Sequence, residues 1–164
     1  PIKRLDGKLV GMQGRDTTNE AERRHHNYQG FNRQKYLLGA HLLENNKPIV
    51  IVEGTTGAVK TDQVLYPQAC TVAVLGDGFS QFHADTVCSS MPPLVYIFMD
   101  GDSPGKTMSN KIERMLHGRV SMKLMLCPTD SNPDGSKRDP GNLDPKEILE
   151  LYNNAKLILG KIEW

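Results

Sequence analysis

The stretch PIVIVEGTTGAVKTDQ, residues 48–63, decides how this chain is read. Its first part, IVIV, is an unbroken β-branched run, the mark of a strand buried on both faces. An acid and a glycine follow, Glu53 and Gly54, and then a segment with helical spacing. The span from Gly54 to Lys60 and Thr61 imitates the phosphate-binding pattern G-x-x-x-x-G-K-[ST]. The glycine that must precede the lysine is Val59, and a β-branched residue resists the tight turn that lets backbone N–H groups surround a phosphate. A second imitation, DGDSPGKT at 100–107, ends in Gly105, Lys106 and Thr107, but its first glycine position holds Asp100. Neither is a phosphate loop. The chemistry of the first stretch therefore falls to Glu53, and Lys60 and Thr61 read as ordinary helix surface.

Working outward, the same strand-then-helix unit recurs. PIVIV (48–52) reads as a strand and TGAVKTDQVLY (56–66) as a helix; CTVAVL (70–75) and SQFHADTVCSSM (80–91) repeat the pair. LVYIFM (94–99) precedes a helix over 104–118 that has Pro104 in its first turn. SMKLMLC (121–127) is the last strand, and 144–160 reads as a helix with Asp144 as N-cap and Pro145 at N1. Short, continuously apolar strands alternating with helices predict a parallel sheet covered on both faces. Upstream, KLVGMQGRD (8–16) reads as a strand entering a glycine turn, 16–30 as a polar loop, and NRQKYLLGAHLLENN (32–46) as a helix on the spacing of Tyr36, Leu37, Ala40 and Leu43.

Composition bounds the answer. The 164 residues suffice for one domain, or one domain with a small appendage, and 38% apolar with 24% charged residues provides a core and excludes a disordered chain. The apolar runs are strand-sized, too short to span a membrane, so no membrane association is expected. The opening PIKRLDGKLV lacks the apolar stretch of a signal peptide, and the absence of an initial Met fits a piece of a longer protein. Cys70, Cys88 and Cys127 are widely spaced without a C-x-x-C pair, which argues against a zinc site and for a reducing compartment. The formal charge of +1 neither demands nor excludes nucleic acid. A basic cluster of Arg23, Arg24, His25, His26, Arg33 and Lys35 marks the first third of the chain.

Each strand runs into an acidic or glycine turn: Glu53–Gly54, Gly76–Asp77–Gly78, Asp100–Gly101–Asp102, and a loop holding Asp130, Asp134 and Asp139. In an open parallel sheet these turns share the carboxyl edge, where ligands bind. Asp77–Gly78 is common turn chemistry. Asp100 and Asp102 directly after an apolar strand set two like charges two residues apart, which points to function more than to a turn and an N-cap. No lysine stands out as placed to neutralise several of these acids. Converging carboxylates cannot all stay ionised without a cation, and a hard divalent ion with oxygen ligands, Mg²⁺ in particular, meets that need. The stretch DSNPDG (130–135) imitates a calcium loop, but its closing Glu position holds Gly141.

With those residues in place, the chain resembles the TOPRIM fold of topoisomerases and bacterial-type primases, through Val52–Glu53–Gly54 at one strand end and Asp100–Gly101–Asp102 at another. Three further segments resemble the catalytic core of bacterial and phage replicative primases: LVGMQGRD, FNRQKYLLGAHLLE with Arg33 and Gly39 at the family's basic and glycine positions, and KRDPGNLD, in which Asp139 takes the place of the late acid. The implied fold is α/β, a TOPRIM-type parallel sheet of about four strands flanked by helices, with a small N-terminal α/β subdomain. The implied division is 1–46 for the N-terminal primase-core portion, 47–143 for the TOPRIM domain, and 144–164 for a helix packing on it. The zinc-ribbon and helicase-binding segments of such primases are not among these residues.

The resemblance implies template-directed synthesis of short RNA primers from NTPs on single-stranded DNA, with Mg²⁺ or Mn²⁺. Glu53, Asp100 and Asp102 would be catalytic and metal-binding, and Asp139 a further metal ligand. Arg15, Arg33, Lys35 and Lys106 would contact template or nucleotide, Lys106 at a helix start that itself favours anions. A replicative helicase would be the partner, and the cytoplasm of a bacterial or phage-infected cell the location. Two usual acids are missing: the positions hold Gly57 and Gly141, leaving Asp77, Asp134 or Asp144 as substitutes. A TOPRIM nuclease and a catalytically weakened nucleic-acid-binding module are the rival readings, whereas no tyrosine has the context of a strand-passing topoisomerase nucleophile.

Overall fold

The computed structural model describes residues 1–164 apart from 19, 21–24, 77, 133, 134 and 163. The chain opens with β1 (Ile2–Lys3) paired antiparallel to β2 (Leu9–Gly11), and β3 (Gln13–Arg15) paired antiparallel to β4 (His25–Asn27). The alternating part follows as β5 (Ile49–Val52), α1 (Thr55–Leu65), β6 (Cys70–Ala73), α2 (Gln81–Ser89), β7 (Val95–Phe98), α3 (Ser103–Leu116), β8 (Met122–Leu124), α4 (Pro145–Asn153) and β9 (Lys156–Leu157).

The sheet order is β6-β5-β7-β8-β9, parallel through the first four strands and antiparallel at β9. β5 lies between β6 and β7, so the chain leaves it to one side and later returns on the other, which makes the β5/β7 boundary a topological switch point. The strand residues divide by parity. Ile49 and Ile51 pack with Val87, Ile112 and Leu116 on the face of α2 and α3. Val50 and Val52 pack with Ala58, Leu65, Leu143 and Ile148 on the face of α1 and α4. Both faces are buried, as the β-branched runs require. Ile2 joins the second cluster and ties β1 to the sheet.

The helices begin where the sequence predicts. Ser80 caps α2, Asp102 caps α3, and Asp144 caps α4 in a box closed by Glu147. Among the described residues no helix is long and apolar enough to cross a membrane.

Four local expectations are corrected. The glycine turn in 8–16 is a break between two strands, with Gly14 inside β3. The polar loop over 16–30 contains β4, whose three residues are all exposed, so no apolar alternation marks it. The helix over 32–46 does not form: only Ala40–Leu42 turns, as a short 3-10 segment after Gly39 at φ +85°. Leu38 and Ala73 instead exchange backbone hydrogen bonds of 3.0 Å, laying this segment along β6. The helix over 144–160 ends at Asn153, and Lys156–Leu157 adds an antiparallel strand beside β8.

Candidate active site

The parallel register aligns Val52 with Phe98, so Glu53 and Asp100 leave the sheet at the same edge from neighbouring strands. Glu53, Gly54, Thr56, Gly57, Asp100, Asp139, Pro140 and Gly141 line one cavity of about 140 Å³. Asp139 reaches it from the segment between β8 and α4. Its carboxylate accepts the Gly141 N–H (2.7 Å) and its own N–H donates to Asn142 Oδ1 (2.9 Å), which fixes the turn.

Asp102 has two duties. Its Oδ1 accepts the Gly105 N–H (2.8 Å) as the N-cap of α3, so the capping role is real and accompanies its place in the acid cluster. Its Oδ2 accepts from Lys137 Nζ (2.7 Å), and the same Nζ donates to Asp100 Oδ2 (2.5 Å). The expectation that no lysine serves several acids is thereby corrected. Lys137 lies two residues before Asp139 in a turn-rich stretch where no periodicity reveals its direction. The one signal was its place directly ahead of the late acidic motif.

The electrostatics follow from this arrangement. Burial, and then repulsion from Asp100, push the Glu53 carboxyl up to about 7. Asp100 is also raised, by burial, although the Lys137 hydrogen bond and charge oppose it. For Asp102 burial is outweighed by Lys137 and the Gly105 N–H, which hold it below the usual carboxylate range. Burial pulls the Lys137 ammonium down, but its two carboxylate partners outweigh that and raise it. The buried Cys127 thiol is pushed up to about 12 by burial and by Asp100. All three cysteines are free.

The glycines at the two usually acidic positions face each other. A Cβ at Gly57 would come 3.2 Å from Pro140 Cβ; one at Gly141 would come 3.0 Å from Asp139 Oδ1 and 3.1 Å from Thr56 Cβ. α1 and the Asp139 turn approach closely here, so a side chain at either position would require its neighbours to give by a few tenths of an ångström. Of the suggested substitutes, Asp144 is committed to its cap (2.9 Å from the Lys146 N–H), while Asp77 and Asp134 lie outside the described residues. Asp130 pairs with Arg138 (3.0 Å), which also binds Glu147 and so ties this segment to α4.

The basic candidates are spread more widely. Arg15 donates to Thr56 Oγ1 (3.2 Å), and Thr55 donates to Gln13, so β3 is fastened to the first turn of α1 beside the cavity. Arg33 lies against Gly76, where a Cβ would stand 2.5 Å from its Nη1, and its carbonyl accepts from buried His83 (2.8 Å). Lys35 sits over Phe82 on α2, 5.6 Å from the ring centroid. Lys106, in the first turn of α3, sits over Trp164 at 5.3 Å, so the terminal tryptophan has a contact its sequence position did not suggest. Arg23 and Arg24 lie outside the described residues. Thr61 is wholly buried rather than on the helix surface, while Val59 is exposed within α1, so no phosphate loop forms here.

Among the described residues no three His, Cys, Asp or Glu side chains are grouped closely enough to hold one ion together. The donor set nevertheless fits a hard divalent cation. It consists of carboxylate oxygens; burial and then Asp100 raise Glu53, and burial, with Asp139 and Asp102, raises Asp100, the conditions a divalent charge relieves.

No protein-family model matches the chain. It is 21% identical over 139 residues to a DNA primase of Chlamydia muridarum, covering 82% of this chain and 22% of that one, so it spans about a fifth of this curated relative's length. A solved DnaG catalytic core superposes with a TM-score of 0.75 at 21% identity, over 96% of this chain and 52% of that one. A DnaG primase catalytic domain bound to single-stranded DNA gives 0.72, also at 21% identity, over 96% of this chain and 51% of that one. The curated DNA primase matches in sequence and the DnaG cores match in structure over nearly the whole chain. The protein has the fold of the TOPRIM-containing primase catalytic core.

Proposed function

We propose that this chain is the catalytic core of a primase, extending short RNA primers from NTPs on single-stranded DNA with Mg²⁺ or Mn²⁺. The observation that carries the reading is the convergence of Glu53, Asp100 and Asp139 on one cavity at the switch point of a primase-type sheet, with Asp102 tied to Asp100 through Lys137. The similarity to solved primase cores over 96% of the chain supports it.

Primer extension forms a bond between a 3′-hydroxyl oxygen and an α-phosphorus and breaks the α-phosphate's bond to pyrophosphate. A bound divalent ion supplies charge neutralisation for the phosphates and acidity for the hydroxyl. Asp100, Asp102 and Asp139, not spaced for one ion as they stand, would have to close on it to hold it, with Glu53 as a further ligand or as acceptor of the hydroxyl proton at its carboxylate oxygen. A carboxyl pushed up to about 7 is matched to that proton. Arg15, held at the first turn of α1, and Arg33, in the segment between β4 and β5 and lying against Gly76 of the loop after β6, would position template or nucleotide phosphates. Lys106 would leave Trp164 to meet a triphosphate at the α3 N-terminus. Lys35 would serve the template at a distance from the acids. The 1–46, 47–143 and 144–164 portions would form the N-terminal, TOPRIM and C-terminal parts of the core. A replicative helicase would be the partner of the whole protein, in the cytoplasm of a bacterial or phage-infected cell.

The test is primer synthesis on single-stranded DNA with labelled NTPs and Mg²⁺ or Mn²⁺, comparing the protein with Asp100→Asn. Short RNA products that fall about a hundredfold or more in the variant are expected. Template degradation without RNA, lost in the variant, would transfer the site to a nuclease. Retained DNA binding with neither reaction would leave a binding module, the reading that glycine rather than an acid at 57 and 141 supports.

A further inference from the structure

Lys137 occupies oxygens that a divalent ion would need. Asp102 has both carboxylate oxygens engaged, Oδ1 by the Gly105 N–H (2.8 Å) and Oδ2 by Lys137 Nζ (2.7 Å). An ion ligated by Asp102 must replace one of these donors. The Gly105 N–H belongs to the first turn of a 14-residue helix and cannot turn away without opening it. Lys137 is the movable partner: its side chain is 47% exposed, on a long stem with three rotatable donors. Its ammonium and a divalent cation would also repel each other between the same two carboxylates.

We infer, on the metal reading proposed above, that Lys137 is the resident cation of the Asp100–Asp102 pair and is exchanged for the divalent ion. With the ion absent, Nζ holds the two carboxylates together and relieves their repulsion. On ion binding it leaves both, and the segment between β8 and α4 loses one of its anchors. Arg138, bound to Asp130 and Glu147, keeps that segment attached to α4 throughout. The exchange makes the acid pair arranged in advance but costs it cation affinity.

Two measurements decide it. Brief acetylation read residue by residue by mass spectrometry reports the accessibility of each lysine in the intact protein. Lys137 should be modified several-fold faster in saturating Mg²⁺ than in EDTA, with Lys123 and Lys146 unchanged. Mn²⁺ titration followed by the electron spin resonance of the free ion should show Lys137→Met binding about tenfold more tightly than the unaltered protein, the scale of a lost charged hydrogen-bonding competitor. Lys137→Arg should stay near the unaltered value. Binding of Mn²⁺ without faster Lys137 acetylation in Mg²⁺, or without tighter binding by Lys137→Met, overturns the exchange and leaves the metal site standing. No Mn²⁺ binding by either protein overturns the metal site, and the exchange with it. The acetylation comparison uses the unaltered chain, so it decides even if Lys137→Met folds poorly.

Discussion

Glu53 follows a fully buried strand and shares a small cavity with Asp100, and burial, then the Asp100 charge, push its carboxyl up to about 7. Between the ordinary carboxyl range and about 7 the folded chain holds this proton more tightly than the unfolded one. Stability from this group is therefore full in acid and is lost as the pH rises through that window. In EDTA, Glu53→Gln should raise the unfolding free energy at pH 8 by about 1–2 kcal/mol, allowing for partial solvation, and leave it unchanged at pH 4. Thermal unfolding of both proteins across pH checks this; equal gains at both pH values would mean that packing, not charge, sets the difference. Glu53 and Asp100 were legible in the sequence because an acid directly after an all-apolar strand can only emerge at the sheet edge. Lys137 was not, because direction in a turn-rich segment depends on tertiary contacts.

The four central strands and the three helices that begin and end near the expected residues share one cause: apolar runs bounded by glycine, proline or capping residues. Residues 32–46 failed that reading for a physical reason. Helical spacing of Tyr36, Leu37, Ala40 and Leu43 is also satisfied by an irregular chain that buries Leu37 and Ala40, and Gly39 in the left-handed region breaks any helix there. Gly39→Ala should cost about 1–3 kcal/mol or more, since the new methyl would also stand 2.5 Å from the Thr71 carbonyl oxygen. A lower urea midpoint with an unchanged slope is the expected result. At the other end, Leu157 and Ile158 extended an apolar pattern past the true helix end at Asn153. The Asp144 cap, by contrast, was fully legible, and Asp144→Ala should cost about 1 kcal/mol in the same urea measurement.

At the scale of the whole molecule, a net charge of +1 conceals a separation of signs, with carboxylates gathered at the sheet edge and Arg15 and Arg33 on the segments that flank it. On the proposed function, binding to single-stranded DNA should therefore weaken with salt, and each phosphate contact should contribute about 0.7 to the slope of log affinity against log salt. Arg15→Ala should reduce that slope by about one contact's share across unrelated sequences, as fluorescence anisotropy over a salt series would read. An unchanged slope would remove Arg15 from the binding surface.

The Leu38–Ala73 bridge has a consequence beyond placing a loop. β6 is the outer parallel strand on one side, and an uncovered strand is a template on which a second chain can grow. The Leu38 segment occupies part of its hydrogen-bonding edge, and Gly39 lies against Thr71 where a bulkier residue could not. On the opposite side β9 runs antiparallel to β8 and ends the sheet with an exposed lysine. Both margins are thus blunted against strand addition, and the segment that defeats the helical pattern also guards the protein against self-association.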